Sequence, residues 1–277
     1  MSATWTPPPA PPAAQFSLAD WLRLLLRGAV LGSITFGGLI VMLALRLIER
    51  PLFGMNRPVT PYLTQAVCRA AFVILGMGYV VRGTRMEERG AVVANHVSWL
   101  DIFALNARKR VYFVSKSEVA RWPGIGWLAR ATGTVFINRD PRDARRQQAL
   151  FEDRLLAGHK LLFFPEGTST DGSVVLPFKS TLFQAFFSDD LKHRTFIQPV
   201  TLIYHAPEGA PAQFYGWWGD MAFGPHLMSV LAARRNGCVE VIYHRPVRVD
   251  SFPNRKSLAT HLELTVRAGL LHGAAQD

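Results

Sequence analysis

A histidine and an aspartate that follow a short apolar run have the residue types needed to activate an alcohol. His96 and Asp101 lie in the segment 95–101 (NHVSWLD), directly after the apolar residues 91–94. Histidine accepts a proton near neutral pH because its ordinary pKa is about 6.5, and a carboxylate on its other ring nitrogen would fix the tautomer. The pair is therefore a candidate general base with an orienting acid. The alternative is structural, with Asp101 capping a helix and His96 packed or solvated.

The spacing of the pair requires a break between a strand and a helix. On one continuous helix the two side chains would lie roughly 140° apart around the axis. Ser98 is a favourable N-cap residue, and Asp101 has the capping-box spacing to it. A helix that begins near Trp99 would leave His96 at the end of the preceding strand, within reach of Asp101.

Two basic residues also end apparent strands. Arg139 ends the segment 133–139 (GTVFINR), at the edge where open α/β sheets bind ligands, and an arginine there could clamp a phosphate. The alternative is a surface arginine paired with a nearby aspartate. Lys116 follows another strand and could offer a positive charge to the site, or it is an ordinary exposed lysine.

A third strand runs into a proline, a carboxylate and a glycine. In the segment 163–168 (FFPEGT), Gly167 and Thr168 could let backbone donors approach an anion or a hydroxyl of the substrate. The alternative is a tight turn in which Glu166 accepts from the backbone. By contrast, the segments 197–200 (IQPV) and 216–220 (GWWGD) favour structural roles, the first as a strand edge or bulge.

Composition narrows the class of protein. The chain has 277 residues, a formal net charge of +11 and 49% hydrophobic residues, and the apolar excess is concentrated before residue 82. The charge indicates an anionic partner, and the apolar front end favours an anionic membrane over nucleic acid, for which no binding motif is present. The other histidines and the isolated Cys68 and Cys238 lack the spacing of a metal site or a disulfide framework. The sequence thus predicts no metal, no nucleic acid and a reducing compartment.

The pattern along the chain predicts three parts. Residues 1–17 are rich in proline and are expected to be a disordered tail. Residues 18–75 are expected to form membrane-anchoring helices, because the uncharged segment 28–45 just reaches the length that spans a bilayer, although a buried hairpin or an interfacial insertion is an alternative. Residues 76–277 are expected to form the folded domain.

In that third part, short β-branched runs alternate with helical patterns. This alternation predicts an α/β fold, a mixed and largely parallel sheet covered by helices. The predicted strands are 79–81, 91–94, 111–114, 134–137, 161–164, 196–203 and 239–243. The predicted helices are 99–107, 142–156, 176–188 and 257–271.

Four segments together resemble the sequence blocks of the glycerolipid acyltransferase family, typified by 1-acylglycerol-3-phosphate acyltransferases. They are NHVSWLD, GTVFINR, FPEGT and IQPV, in that order, and the resemblance spans about residues 80–204. It implies transfer of a fatty acyl chain from a thioester, carried by acyl carrier protein or coenzyme A, to a lysolipid hydroxyl at a membrane, with no other cofactor. It also places the catalytic domain on the cytoplasmic side of the inner membrane.

The resemblance implies a role for each candidate residue. His96 would deprotonate the hydroxyl while Asp101 orients the imidazole. Arg139, Glu166 and Gly167 would bind the acceptor headgroup, with Thr168 as a weaker addition. The catalytic turn is the segment that carries His96, between the preceding strand and the helix of Asp101. Backbone N–H groups near this turn, together with Lys116, would stabilise the oxyanion that forms when the hydroxyl attacks the thioester.

One departure bears on the acceptor. Many relatives that form phosphatidic acid have arginine directly after FPEGT, whereas this chain has Ser169 followed by Thr170 and Asp171. The expected acceptor is 1-acyl-sn-glycerol-3-phosphate, and lyso-ornithine lipid, which carries no phosphate, is the alternative. A non-catalytic membrane lipid-binding protein and a thioesterase are hypotheses of other classes.

Overall fold

The computed structural model describes residues 5–12, 14–138, 142 and 144–274. In this part of the chain, helices cover both faces of a mixed eight-stranded sheet, which confirms the predicted α/β fold. Each strand that the sequence predicts is present, and the two-residue strand β8 is additional. The strands are β1 (Gly78–Gly83), β2 (Gly90–Ala94), β3 (Tyr112–Lys116), β4 (Val135–Ile137), β5 (Leu161–Phe163), β6 (Phe196–His205), β7 (Cys238–Tyr243) and β8 (Val247–Arg248).

The strand directions bring the candidate residues to one edge of the sheet. The order is β1-β7-β6-β2-β5-β3-β4, with β8 also beside β6. Strands β6, β2, β5, β3 and β4 are parallel, whereas β7 and β8 run antiparallel to β6. Their carboxyl ends therefore meet at one edge, which is where open α/β sheets bind ligands.

Alternation along the buried strands builds a hydrophobic core on each face. Val92 and Ala94 face a cluster that includes helices from the first half of the chain, whereas Ala91 and Val93 face a cluster that includes the last helix. Successive strand residues point to opposite faces, so a strand buried on both sides reads as a continuous apolar run. The helices are α1 (Leu18–Phe53), α2 (Thr60–Leu75), α3 (Asp101–Asn106), α4 (Ile125–Thr132), α5 (Ala144–Leu156), α6 (Asp189–Lys192), α7 (Phe223–Ala232) and α8 (Arg255–Ala274).

One predicted helix is wrong in type and start. The chain predicted to be helical over 176–188 forms a 3₁₀ helix, Ser180–Phe187, instead. Two carboxylates hold the preceding residues out of a helix, since Leu176 N donates to Glu166 and Phe178 N donates to Glu263. Those long-range bonds replace the N–H partners that an α-helix would supply.

The expectation that the IQPV segment lies at a sheet edge is also wrong. Strand β6 is central, between β2 and β7. Pro199 is tolerated there because pairing with β8 ends at Ile197 and pairing with β7 begins at Val200, so no antiparallel partner needs its missing N–H. Gln198 fills the gap, with its side-chain amide donating to His244 O.

Helix α1 is long and apolar enough to cross a membrane, by length and composition. It nevertheless packs along the folded domain, against α2 and α7. Arg23 and Arg27 donate to the backbone carbonyls at the end of α7. The opposite face is a stripe of exposed apolar side chains at helical spacing: Leu18, Leu22, Leu25, Phe36, Ile40, Leu43 and Leu47.

The proline-rich segment touches the domain at one described point. Residues 5–12 form no helix or strand, and Pro8 O accepts a hydrogen bond of 2.9 Å from Trp218 Nε1. Trp218 is itself buried, as the structural interpretation of GWWGD predicts. Residues 1–4 and 13 of the predicted tail lie outside the described residues.

Candidate active site

His96 and Asp101 meet at the carboxyl edge of the sheet. Strand β2 ends at Ala94, His96 lies in the following turn, and Asp101 is the first residue of α3. His96 Nδ1 and Asp101 Oδ2 are 2.7 Å apart, and the Asp101 side chain is completely buried. The break between strand and helix therefore brings the two side chains together, as the sequence predicts.

Asp101 both orients the histidine and caps the turn. Its Oδ2 also accepts from Val97 N at 2.8 Å and from Ser98 N at 3.1 Å. The predicted cap by Ser98 is wrong, because in the described part of the chain Ser98 Oγ has no hydrogen-bond partner. The carboxylate thus caps the backbone, and the two interpretations of Asp101 hold at once.

The other oxygen of Asp101 has a partner that the sequence did not indicate. Tyr204 OH donates to Asp101 Oδ1 at 2.7 Å from strand β6. Burial, followed by the neighbouring Asp101, raises the pKa of Tyr204 well above its ordinary value. The phenol therefore keeps its proton and stays a donor to the carboxylate.

The imidazole of His96 is fixed on one side and open on the other. Its ring stacks on Phe164 with centroids 4.1 Å apart and planes inclined by 9°. The side chain is 21% exposed, and Nε2 makes no hydrogen bond to the described residues. With Nδ1 held by Asp101, Nε2 is the nitrogen that can meet a substrate hydroxyl.

Glu166, a residue of the FPEGT loop, braces the turn that carries His96. Its Oε1 accepts from His96 N at 2.7 Å and its Oε2 accepts from Leu176 N at 2.6 Å. Burial raises the pKa of Glu166 to about 8, while the two N–H groups act in the opposite direction. Since each carboxylate oxygen holds a backbone donor, the described geometry is that of a brace, and acceptor binding by Glu166 stays a prediction.

The loop after Glu166 also touches the catalytic turn, but not through Thr168. Gly167 adopts a left-handed φ of +74°, and Thr168 is exposed. Thr170, which is buried, donates from its backbone N to His96 O at 2.9 Å. Trp217 N donates to Val97 O at 2.8 Å from the other side. Thr170 and Trp217 therefore hold the turn, a role that the sequence did not predict for either residue.

Of the two basic residues that the sequence proposes for substrate binding, the structure describes only Lys116. Lys116 ends β3 at the same carboxyl edge, in register with Ile137 of β4. Arg139 lies two positions beyond Ile137 and outside the described residues. Substrate binding by either residue stays a prediction.

Three backbone donors of the turn that carries His96 already hold carboxylates. The backbone N–H of His96 donates to Glu166, and those of Val97 and Ser98 donate to Asp101. Stabilisation of an oxyanion by other backbone N–H groups near this turn, together with Lys116, stays a prediction.

Known proteins are similar to this chain in sequence. Residues 79–203 match the model of a family described as Acyltransferase. A lyso-ornithine lipid O-acyltransferase from Rhodobacter capsulatus is 58% identical over 264 residues, which is 95% of this chain and 94% of that protein. A 1-acyl-sn-glycerol-3-phosphate acyltransferase from Neisseria gonorrhoeae is 39% identical over 147 residues, 52% of this chain and 56% of that protein.

A solved structure has a similar fold. The 1-acyl-sn-glycerophosphate acyltransferase PlsC from Thermotoga maritima superimposes with a TM-score of 0.64, covering 93% of this chain and 95% of its own, at 22% identity.

Proposed function

This chain belongs to the glycerolipid and lysophospholipid acyltransferase family, and from that membership we propose that it is a lyso-ornithine lipid O-acyltransferase. The observation that carries the proposal is the 58% identity to a lyso-ornithine lipid O-acyltransferase over nearly the whole of both chains. The similarity to a 1-acyl-sn-glycerol-3-phosphate acyltransferase is lower and covers about half of each chain. The order of the two acceptors expected from the sequence is therefore reversed.

The residues that follow FPEGT support lyso-ornithine lipid as the acceptor. Ser169 stands where many phosphatidate-forming relatives have arginine, and Asp171 follows two positions later. An arginine guanidinium can bind a phosphate through two hydrogen bonds. A carboxylate and hydroxyl groups at these positions cannot replace that bidentate contact. A lyso-ornithine lipid carries an amino acid in place of the phosphate and has no need of that partner.

In the proposed reaction His96 is the general base. Its Nε2 takes the proton of the acceptor hydroxyl, and the oxygen attacks the carbonyl carbon of the acyl thioester. The tetrahedral intermediate collapses when the carbon–sulfur bond breaks, and the leaving thiolate receives the proton from the imidazolium. Asp101 stabilises that imidazolium through its 2.7 Å contact with Nδ1. Base catalysis of this kind contributes roughly 10²- to 10⁴-fold to the rate.

The donor and the location follow the same proposal. The thioester is carried by acyl carrier protein or coenzyme A, and the net charge of +11 would attract an acidic carrier as well as an anionic membrane. The exposed apolar stripe of α1 would contact the inner membrane, with the catalytic domain on its cytoplasmic side, where acyl thioesters are made.

A matrix of donors and acceptors tests the proposal. Purified protein in detergent is given acyl carrier protein or coenzyme A thioesters together with lyso-ornithine lipid, with lysophosphatidate, or with no acceptor. We expect diacylated ornithine lipid as the main product and no product from His96→Ala that is equally folded by circular dichroism. Preferred turnover of lysophosphatidate would overturn the proposed acceptor, and free fatty acid released without an acceptor would indicate a thioesterase.

A non-catalytic lipid-binding protein has less support. Such a protein has no chemical need for the buried carboxylate that holds His96 Nδ1, or for the second donor on that carboxylate. Lipid binding by the wild type without turnover of any donor and acceptor would favour this alternative, whereas full activity of His96→Ala would overturn the proposed mechanism.

A further inference from the structure

The side chain of Lys179 lies across the FPEGT loop. A carbon added at Gly167 would come within 3.1 Å of Lys179 Cε and closer still to Nζ. The backbone N of Lys179 donates to Pro165 O at 2.9 Å, which fixes the residue beside the loop. A glycine at position 167 is therefore needed both for its left-handed φ of +74° and for the space that the lysine side chain occupies.

The carboxylates of the catalytic turn and of the loop after Glu166 already have other partners. Asp101 and Glu166 are buried and bonded to the catalytic turn, and Asp171 accepts from Ser173. Within the described part of the chain, no carboxylate forms an ion pair with Lys179, and the residue is exposed. Its charge is thus open to a ligand that reaches the loop.

The same loop connects Lys179 to the base. Glu166, the residue before Gly167, accepts from His96 N at 2.7 Å. The Lys179 side chain therefore lies on the loop whose neighbouring residue, Glu166, holds the backbone of His96. Ser169 carries no charge, so Lys179 supplies a cation beside this loop.

We propose that Lys179 binds the carboxylate of the acceptor's ornithine headgroup, and this assignment rests on the proposed function. In a lyso-ornithine lipid the free hydroxyl is on a β-hydroxy acyl chain joined by an amide to ornithine, which keeps its carboxylate. That carboxylate is farther along the molecule from the reactive hydroxyl than the phosphate of lysophosphatidate is. A long flexible lysine matches this more distant single anion, whereas a bidentate arginine matches a near phosphate.

A substrate without the carboxylate tests the assignment. The wild type, Lys179→Met and Lys179→Arg are compared on lyso-ornithine lipid and on its methyl ester, which keeps the hydroxyl and both carbon chains. In the wild type we expect kcat/KM for the acid to exceed that for the ester by about tenfold, as one charge-assisted hydrogen bond would give. In Lys179→Met the advantage of the acid is expected to disappear, mainly through KM, and Lys179→Arg is expected to keep part of it.

The outcomes separate this assignment from the proposed function. If Lys179→Met slows the acid and the ester equally, or slows neither, Lys179 does not bind the carboxylate, although the acceptor remains lyso-ornithine lipid. If the wild type does not acylate lyso-ornithine lipid, the proposed function fails and the assignment fails with it. Thermal unfolding of each variant identifies a loss of fold. If Lys179→Met is unfolded, the assignment is judged from the preference of Lys179→Arg for the acid over the ester.

Discussion

The phenol of Tyr204 donates a 2.7 Å hydrogen bond to Oδ1 of Asp101, while Oδ2 of the same carboxylate holds His96 Nδ1. The two residues are separated by 103 positions and come from β6 and the start of α3. The carboxylate has no exposed surface, so each partner alters the charge that faces the imidazole more than it would in water. We therefore expect Tyr204 to act on His96 through Asp101, as a positioning residue.

Tyr204→Phe should shift the pH dependence of the reaction. Without the phenol donor, the negative charge of Asp101 is less compensated and stabilises the imidazolium form of His96 more strongly. We expect the acidic limb of the kcat/KM profile to move to higher pH, and kcat at neutral pH to fall by about tenfold or less. The measurement is a profile of kcat/KM from pH 5 to pH 9.

Tyr215→Phe is the matched control. Its ring lies 5.7 Å from that of Tyr204, but its hydroxyl donates to Asn236 and accepts from Gly237 N, away from Asp101. This variant should lose stability without moving the acidic limb. An equal shift in both variants would mean that general loosening of the core, not the Tyr204 contact, causes the change.

Asp101→Asn should remove most of the activity. An amide presents only one acceptor oxygen to a site where Oδ2 serves three donors, and it can hold His96 in the wrong tautomer. We expect kcat to fall by roughly 10³-fold or more, with the KM for the acyl thioester little changed. Single-turnover assays at saturating acceptor measure this, and a loss confined to KM would contradict the assigned role.

The sequence predicts well those features that depend on residues close together in the chain. The apolar alternation finds the main strands, and the spacing of His96 and Asp101 with a strand before them places the pair correctly. The period of two even places Tyr204 on the same face as Val200 and Leu202, where α3 packs. It does not indicate which residue of α3 the phenol would meet.

What the sequence misses depends on contacts between distant segments. Glu166 bonds to His96 and to Leu176, and the second bond is one reason that the predicted helix over 176–188 does not form. Ser98 has the residue type and spacing of a helix cap, yet Asp101 caps the turn instead. A carboxylate that gains several buried N–H donors outweighs the local preference of one serine hydroxyl.

Glu166→Gln should lower kcat and stability with little effect on the KM of the acceptor. The amide can accept at one position only, so either His96 N or Leu176 N loses its partner. An unsatisfied buried donor costs about 1–3 kcal/mol, which should appear as a lower unfolding temperature. Steady-state kinetics with varied lysolipid separate this outcome from acceptor binding, for which KM would rise while the unfolding temperature stays near that of the wild type.

Substitution on the exposed face of α1 should weaken membrane attachment. Leu43 and Leu47 lie one turn apart on the apolar stripe, and both are exposed. Replacing both by aspartate puts charge where apolar surface would enter the membrane. We expect less protein in the membrane fraction on flotation, with activity in detergent retained, whereas Leu264→Asp, at an exposed leucine of α8, should float as the wild type does.

The buried His159 should make the free energy of unfolding depend on pH, with a less stable fold in mild acid. It is buried, its ring stacks on Tyr112 at 4.3 Å, and burial followed by Arg154 and Arg57 lowers its pKa to about 4. Between the ordinary value of about 6.5 and that lowered value, the unfolded chain binds a proton that the folded chain does not, so the free energy of unfolding falls as the pH falls. The loss between pH 7 and pH 5 should be on the order of 2 kcal/mol. His159→Phe, which keeps the stacking and cannot titrate, should flatten the pH dependence of stability measured by urea unfolding at pH 7, 6 and 5.

His261→Gln, at an exposed histidine, is the control and should leave this pH dependence unchanged. A slope retained in His159→Phe would assign the acid sensitivity to other groups.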